Sequence, residues 1–168
     1  VVDMYRRFID HARFFPEDFA KSHYMRSGLD QGRIWRITKK GSKLASPKPM
    51  PTEADKLSDL LASKNGWTRT TAQRLLVEKQ DKSVVSSLEN YLSSYSAEAA
   101  AHALGTLSGL DAITDEQLRT ALHAESPDLR EFALIIAKQH NRSASLKESI
   151  LKTLDDDAPR VRFVALSL

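Results

Sequence analysis

The chain has no cysteine, only six glycines and six prolines in 168 residues, and no apolar run near the roughly 20 residues that span a bilayer. Without cysteine there is no disulfide framework, thiol nucleophile, thiolate-bound zinc, iron–sulfur cluster, or haem attached through Cys-x-x-Cys-His. The few glycines form neither a phosphate loop nor a dinucleotide fingerprint, and no nucleophile elbow occurs. The histidines, at positions 11, 23, 102, 123 and 140, have no metal-binding spacing. These absences predict a chain that is not itself an enzyme and carries no cofactor.

What is present is an ordinary folding composition, 41% hydrophobic and 28% charged. The net charge of +3 conceals an asymmetry. Residues 1–52 hold 11 basic and 5 acidic residues, a net of +6, whereas residues 53–168 hold 14 and 17, a net of −3. The two parts read as different structures.

Thr38–Thr52 contains three prolines, four lysines and no acid. Proline fixes φ and removes a donor, so neither a helix nor a central strand fits Pro47, Pro49 and Pro51. The stretch reads as a solvated linker rather than a phosphate contact. The predicted organisation is therefore a small segment over 1–38, a linker over 39–52 and a helical array over 53–168. Within the first segment, Val1–Tyr5 and Arg33–Ile37 read as strands, with turns at Gly28 and Gly32. Between them, Phe8–Phe15 reads as a helix or turn, and Pro16–Tyr24 as a short helix starting on proline and acids. Two strands alone are marginal. The chain opens directly on a strand and closes on the amphipathic run Val161–Leu168, without polar ends, which predicts a piece of a longer protein.

After residue 52 a helix, a tight turn and a second helix recur four times. An alanine marks each second helix, at Ala72, Ala101, Ala133 and Ala165, spaced 29, 32 and 32 residues apart. A period near 30 built of paired helices signals a solenoid. Small side chains let helices cross at the short end of the ~8–10 Å range. Leu75, Leu104, Ile136 and Leu168 would fill the core beside each crossing. Start signals agree: Ser145 with Glu148 and Thr114 with Gln117 form capping boxes, Thr52 with Asp55 a weaker one, and Ser126-Pro127 is a cap followed by proline. The first helices are predicted at about 53–63, 82–94, 115–124 and 146–154. The second helices fall at about 67–79, 97–108, 127–139 and 158–168. The fold class is mainly α, an α-α superhelix of about four pairs, with a small β-hairpin-like N-terminal segment.

The motif Asp128-Leu129-Arg130 with Ala133, repeated as Pro159, Val161-Arg162 and Ala165, resembles the HEAT family of α-solenoid repeats. That resemblance implies that Arg69, Arg130 and Arg162 are ladder residues, each bonding an acidic residue in the turn of a neighbouring repeat. Glu98 departs from the pattern in the second repeat.

Asp3-Met4-Tyr5-Arg6, Phe15-Pro16-Glu17 and Gly32–Ile37 resemble the last blade of a soluble-dehydrogenase-like β-propeller. With the runs Asn65–Glu78 and His102–Leu110, the whole is similar to large bacterial membrane-bound dehydrogenase-like proteins. Those proteins run from a propeller through HEAT repeats to a cytochrome c-type domain. The resemblance implies an exported or periplasmic, or membrane-associated, redox context. Protein partners would be other domains of the parent chain or a separate protein. It carries over no cofactor site.

The remaining chemistry-bearing residues have structural readings. His102 lies among packing alanines, as a core or interface histidine. Asp155-Asp156-Asp157 reads as an interhelix turn capping the last helix rather than a cation site. Trp67 reads as a staple over the first turn, and Trp35 and Tyr5 as packing residues. Trp67 and Arg74 are nonetheless the candidate interaction residues. An alternative function is nucleic-acid binding through Arg69, Arg74, Arg130, Arg142 and Arg162, but the net acidic repeats have the wrong sign for a phosphate cradle. The alanine register gives a direct test. Ala133→Leu should overpack its crossing and lower stability by about 1–3 kcal/mol. A thermal melt matching the parent would contradict the register.

Overall fold

The computed structural model describes residues 1–5, 11–22, 27, 28, 30–43, 46, 48–94, 96–140 and 143–168. Two compact units are present, Val1–Pro47 and Lys48–Leu168.

The first unit carries a two-stranded antiparallel ribbon, β1 (Val2–Asp3) and β2 (Arg33–Ile34), with Val2 opposite Ile34 and Asp3 opposite Arg33. The Trp35 amide extends the pairing by donating to the Val1 carbonyl at 2.7 Å. Both strands are shorter than predicted, and β1 ends where Tyr5 turns out of the ribbon at φ 48°. Gly28, at φ +81°, faces that turn; a Cβ there would stand 1.9 Å from the Tyr5 carbonyl oxygen, so only glycine fits. A single helical turn covers Ala12–Phe14, and α1 spans Glu17–Ala20. The rest of the helices expected over 8–15 and 16–24 falls on residues 8–10, 23 and 24, outside the described residues, or on non-helical backbone. The predicted linker position Pro47 and candidate residues Arg6, His23 and Arg142 also lie outside them.

The second unit is an array of four helix pairs. They are α2 (Ala54–Asp59) with α3 (Gly66–Lys79), α4 (Val85–Ser94) with α5 (Ala97–Gly109), α6 (Asp115–Leu122) with α7 (Pro127–Ala137), and α8 (Ala144–Lys152) with α9 (Pro159–Ala165). The first helices stack on one another, α4 on α6 and α6 on α8, and the second helices do likewise, α3 on α5, α5 on α7 and α7 on α9. The result is a two-layered helical superhelix.

The core has two parts that meet across α5. Leu57, Leu61, Ala72, Leu76, Leu88 and Leu107 form one, and Leu104, Leu118, Ala133, Leu134, Leu146 and Val161 belong to the other. One face of α5 contributes Ala99, Ala103 and Leu107, and the other Ala100 and Leu104. No pair closes a core alone, so each depends on its neighbours.

The second-repeat alanine register is corrected by two residues. Counted seven residues on from the N-caps Asn65, Ser96, Ser126 and Ala158, the crossing alanines are Ala72, Ala103, Ala133 and Ala165. Ala72, Ala103 and Ala133 are fully buried and Ala165 nearly so, whereas Ala101 is only half-buried beside the core. By the same count, Ala100, not Glu98, stands at the arginine position of the second repeat. The alanine-rich start of α5 offers several small residues at nearly equal spacing, and only the cap fixes which one meets α3. Likewise Leu76 and Leu107 are fully buried, while Leu75 is half-buried.

Caps follow the residue that reaches the right amide. Thr114 and Gln117 form the predicted capping box, and Ser126 accepts from the Leu129 amide ahead of Pro127. At α8 the cap is Ser143, accepting from the Leu146 amide at 3.2 Å, not Ser145; Glu148 pairs instead with Lys152. At α2 the N-cap is Glu53, not Thr52, and its carboxylate accepts from the Thr52 amide. Trp67 does not act as a staple: Asn65 caps the Trp67 amide, and the ring is 67% exposed.

Close packing of α3 on α5 requires Gly109, where a Cβ would stand 2.6 Å from Cγ2 and 3.0 Å from Cγ1 of Val77. An exposed helical Gly→Ala change ordinarily stabilises by up to about 1 kcal/mol. Gly109→Ala should instead destabilise by about 1 kcal/mol, since valine's branched head cannot swing away. A raised melting temperature would contradict this packing.

Candidate functional site

The chemistry of the second unit is concentrated in the turns between paired helices. Four residues past the N-cap of α3, α7 and α9 stand Arg69, Arg130 and Arg162. Each reaches back to carbonyls in the turn that follows the preceding helix. Nη1 of Arg69 donates to the Ser63 carbonyl at 2.7 Å; that of Arg130 to Ala124 and Glu125 at 2.8 and 2.9 Å; that of Arg162 to Asp156 and Asp157 at 2.6 and 3.1 Å. These carbonyls have no partner within the helix, so the guanidinium satisfies them.

The arginines differ in what they hold across repeats. Arg130 also grips Asp156 of the next repeat with both its Nε, at 2.7 Å, and its Nη2, at 2.8 Å. The pair is largely buried, with side chains 16% and 9% exposed. Among the described residues Arg69 forms no such ion pair, although the Glu98 carboxylate of the next repeat is close enough to feel its charge, and the Arg69 Nε is buried without a hydrogen-bond partner. Such an atom costs about 1–3 kcal/mol. The Asp155–Asp157 turn receives Arg130, and Asp156 Oδ1 also accepts from the Ala158 amide just ahead of α9, but no side chain caps that helix as expected.

Further links join neighbouring repeats. His102 Nδ1 donates to Gln73 Oε1 at 2.7 Å, beside Gly105, whose missing Cβ leaves room for the Gln73 amide. Burial, then the nearby Arg69 charge, lowers the His102 pKa. Gln117 donates to Glu89, Arg160 grips Glu131, and His140 Nε2 meets the Ser108 hydroxyl. The residues in these four links are separated by 28 to 32 positions. Complementary side chains one repeat apart are the signal from which such links are readable. Trp67 is exposed, and Arg74 pairs with Glu78 on its own helix at 2.7 Å.

In the first unit, Asp3 organises the ribbon. It accepts from the Tyr5 amide at 3.0 Å, from Trp35 Nε1 at 3.4 Å and from Arg33 Nη2 at 3.2 Å. The Tyr5 amide, then the Trp35 indole, holds its pKa below the ordinary carboxylate value. The Arg33 guanidinium lies over the rings of Tyr5 and Trp35, 4.5 and 5.1 Å from their centroids. Tyr5 and Trp35 thus stack on an arginine while remaining half-exposed, rather than lying under apolar cover.

Among the described residues no group of three or more His, Asp or Glu comes together to hold a metal ion, and no helix is long and apolar enough to cross a membrane. Residues 1–41 match the family model of a domain of unknown function, DUF7133. The match lies within the first unit. No curated protein and no solved structure matches the chain.

The Arg130–Asp156 bridge gives a pH-dependent prediction. Arg130 holds the Asp156 pKa below its ordinary 3.8, with help from the Ala158 amide. Its stabilisation is therefore present above about pH 4 and is lost as pH falls through the lower folded value. Asp156→Asn should cost about 2 kcal/mol at pH 7, and the gap to the parent should close as the pH falls below about 4. Urea titrations showing the same gap at pH 7 and at pH 2 would contradict this assignment.

Proposed function

We propose that the chain is a non-catalytic scaffold and interaction segment of HEAT-like helix pairs, within a larger exported dehydrogenase-like redox protein. The observation that carries the contact role is the apolar surface left open at the α8–α9 end. Leu151, Phe163 and Leu166 are 62%, 74% and 77% exposed. Beside them a cleft of about 300 Å³ is lined by Lys147, Ile150, Leu151, Leu154, Ala165 and Leu168. Apolar surface of this kind marks protein contact.

The redox parentage rests on the resemblance to propeller, HEAT and cytochrome c architecture. The first unit is consistent with a blade remnant, since Val2, Ile34 and Ile37 of its ribbon are 73%, 85% and 80% exposed and lack apolar cover. Partners are then domains of the same parent or a separate protein. Nucleic acid is disfavoured by the ladder: Arg69, Arg130 and Arg162 are engaged by carbonyls, Arg130 by Asp156 as well, and Arg74 by Glu78.

The purified chain should give no Soret band on adding haem and no dye-coupled oxidation of sugars or alcohols. It should also leave the anisotropy of a fluorescent DNA duplex unchanged at low salt. Turnover or haem binding would overturn the non-catalytic reading. Duplex binding that weakens steeply with salt would replace it with the nucleic-acid reading.

A further inference from the structure

The arginine ladder is interrupted at one place, and the structure is open there. In the repeat frame set by the N-caps, Ala100 stands where Arg130 does one repeat later, and Ala124 stands where Asp156 does. Between the third and fourth repeats the Arg130 guanidinium fills the space between two turns, bonded to carbonyls on one side and to a carboxylate on the other. Between the second and third repeats both rung residues are methyl groups. The space is a cleft of about 700 Å³ with Ala100 and Ala124 in its lining.

Six of the other eight lining residues sort into two kinds. Leu92, Ala97 and Leu129 give an apolar floor suited to the methylenes of a long side chain. His123, Glu125 and Ser126 bring polar groups to the rim of the same cleft. His123 Nδ1 is 2.8 Å from the Arg119 carbonyl, to which it must donate, so in the neutral ring Nε2 is an acceptor. Glu125, a lining residue that is exposed, is the acidic residue of the set. The Ser126 hydroxyl already accepts from the Leu129 amide and retains a further lone pair. Ser93 and Thr120 add hydroxyls, and among the described lining residues there is no lysine or arginine, the nearest guanidinium, Arg130, being held by the Ala124 and Glu125 carbonyls and by Asp156.

We infer that this cleft binds the guanidinium of an arginine side chain presented by a protein partner, which takes the place that Arg130 fills internally one repeat later. The planar fork matches a carboxylate beside a second acceptor, while the stem lies on the leucine and alanine floor. The inference deepens the reading of the array as a protein-contact scaffold and rests on it for the nature of the donor.

The test is a titration of the full 168-residue chain with N-acetyl-argininamide, followed by backbone amide NMR shifts. Saturable shifts should be confined to residues 92, 93, 97–100, 120 and 123–129. The uncharged isostere N-acetyl-citrullinamide should bind at least about tenfold more weakly. Ala124→Asp, at a half-buried position, supplies the carboxylate of the complete rung and should tighten the arginine probe about fivefold or more. Ala100→Arg should fill the cleft from within and abolish probe binding. Because Ala100 is buried, the Ala124→Asp result decides the matter if that variant does not fold. Shifts scattered over the surface, equal binding of the citrulline probe, or an unchanged affinity in Ala124→Asp would each overturn the inference. None of these results bears on the scaffold reading, which falls only to haem binding, turnover or nucleic-acid binding.

Discussion

A helix pair of this size cannot bury its own apolar face, and everything else in the second unit follows from that constraint. α2 is six residues long and α9 seven. Isolated helices that short are unstable in water. Their apolar residues are covered because α2 lies on α3 and α4, and α9 on α7. The core is accordingly a continuous seam, passing through α5 by way of its two alanine-rich faces rather than gathering at one centre.

Apolar stacking alone leaves neighbouring repeats free to slide, because leucine against leucine is tolerant of register. The polar links remove that freedom. Arg130 satisfies turn carbonyls of its own repeat and fixes the position of Asp156 in the next, which in turn holds the Ala158 amide just ahead of α9. One guanidinium thus ties a helix end, an inter-repeat distance and a helix start together. The same position in the first repeat is incomplete, with Arg69 bonding its own turn but leaving Nε buried and unpaired. In the second repeat, Ala100 replaces the arginine altogether. The ladder is therefore interrupted along the array, and the open place in it is the cleft beside Ala100 and Ala124.

Much of the helical array was legible because its signals are local and physical. Thr114 with Gln117, and Ser126 with Pro127, announce helix starts through the amides they satisfy, and the observed helices begin there. The second repeat resisted, because Ala97, Ala99, Ala100, Ala101 and Ala103 are interchangeable in sequence and become distinct only once Ser96 caps the helix. Trp67 was misread for a related reason: a large aromatic near a helix start favours packing on average, but capping by Asn65 places it on the outer face. The cleft beside Ala124 had no sequence signature of its own. It is defined by two residues that are small where their counterparts are charged, a contrast visible only after the frame is fixed. The ribbon was legible as two strands, but its Arg33 stack on Tyr5 and Trp35 depends on the Tyr5 turn opposite Gly28.

Stability in the array is a nearest-neighbour property, with the Arg130 bridge holding the last pair in place. Native-state hydrogen exchange on Arg130→Met, which keeps the stem and removes the charged fork, tests it most directly. Amides of α8 and α9 should lose protection while those of α3 and α5 keep theirs. Equal loss of protection across all four repeats would contradict the account.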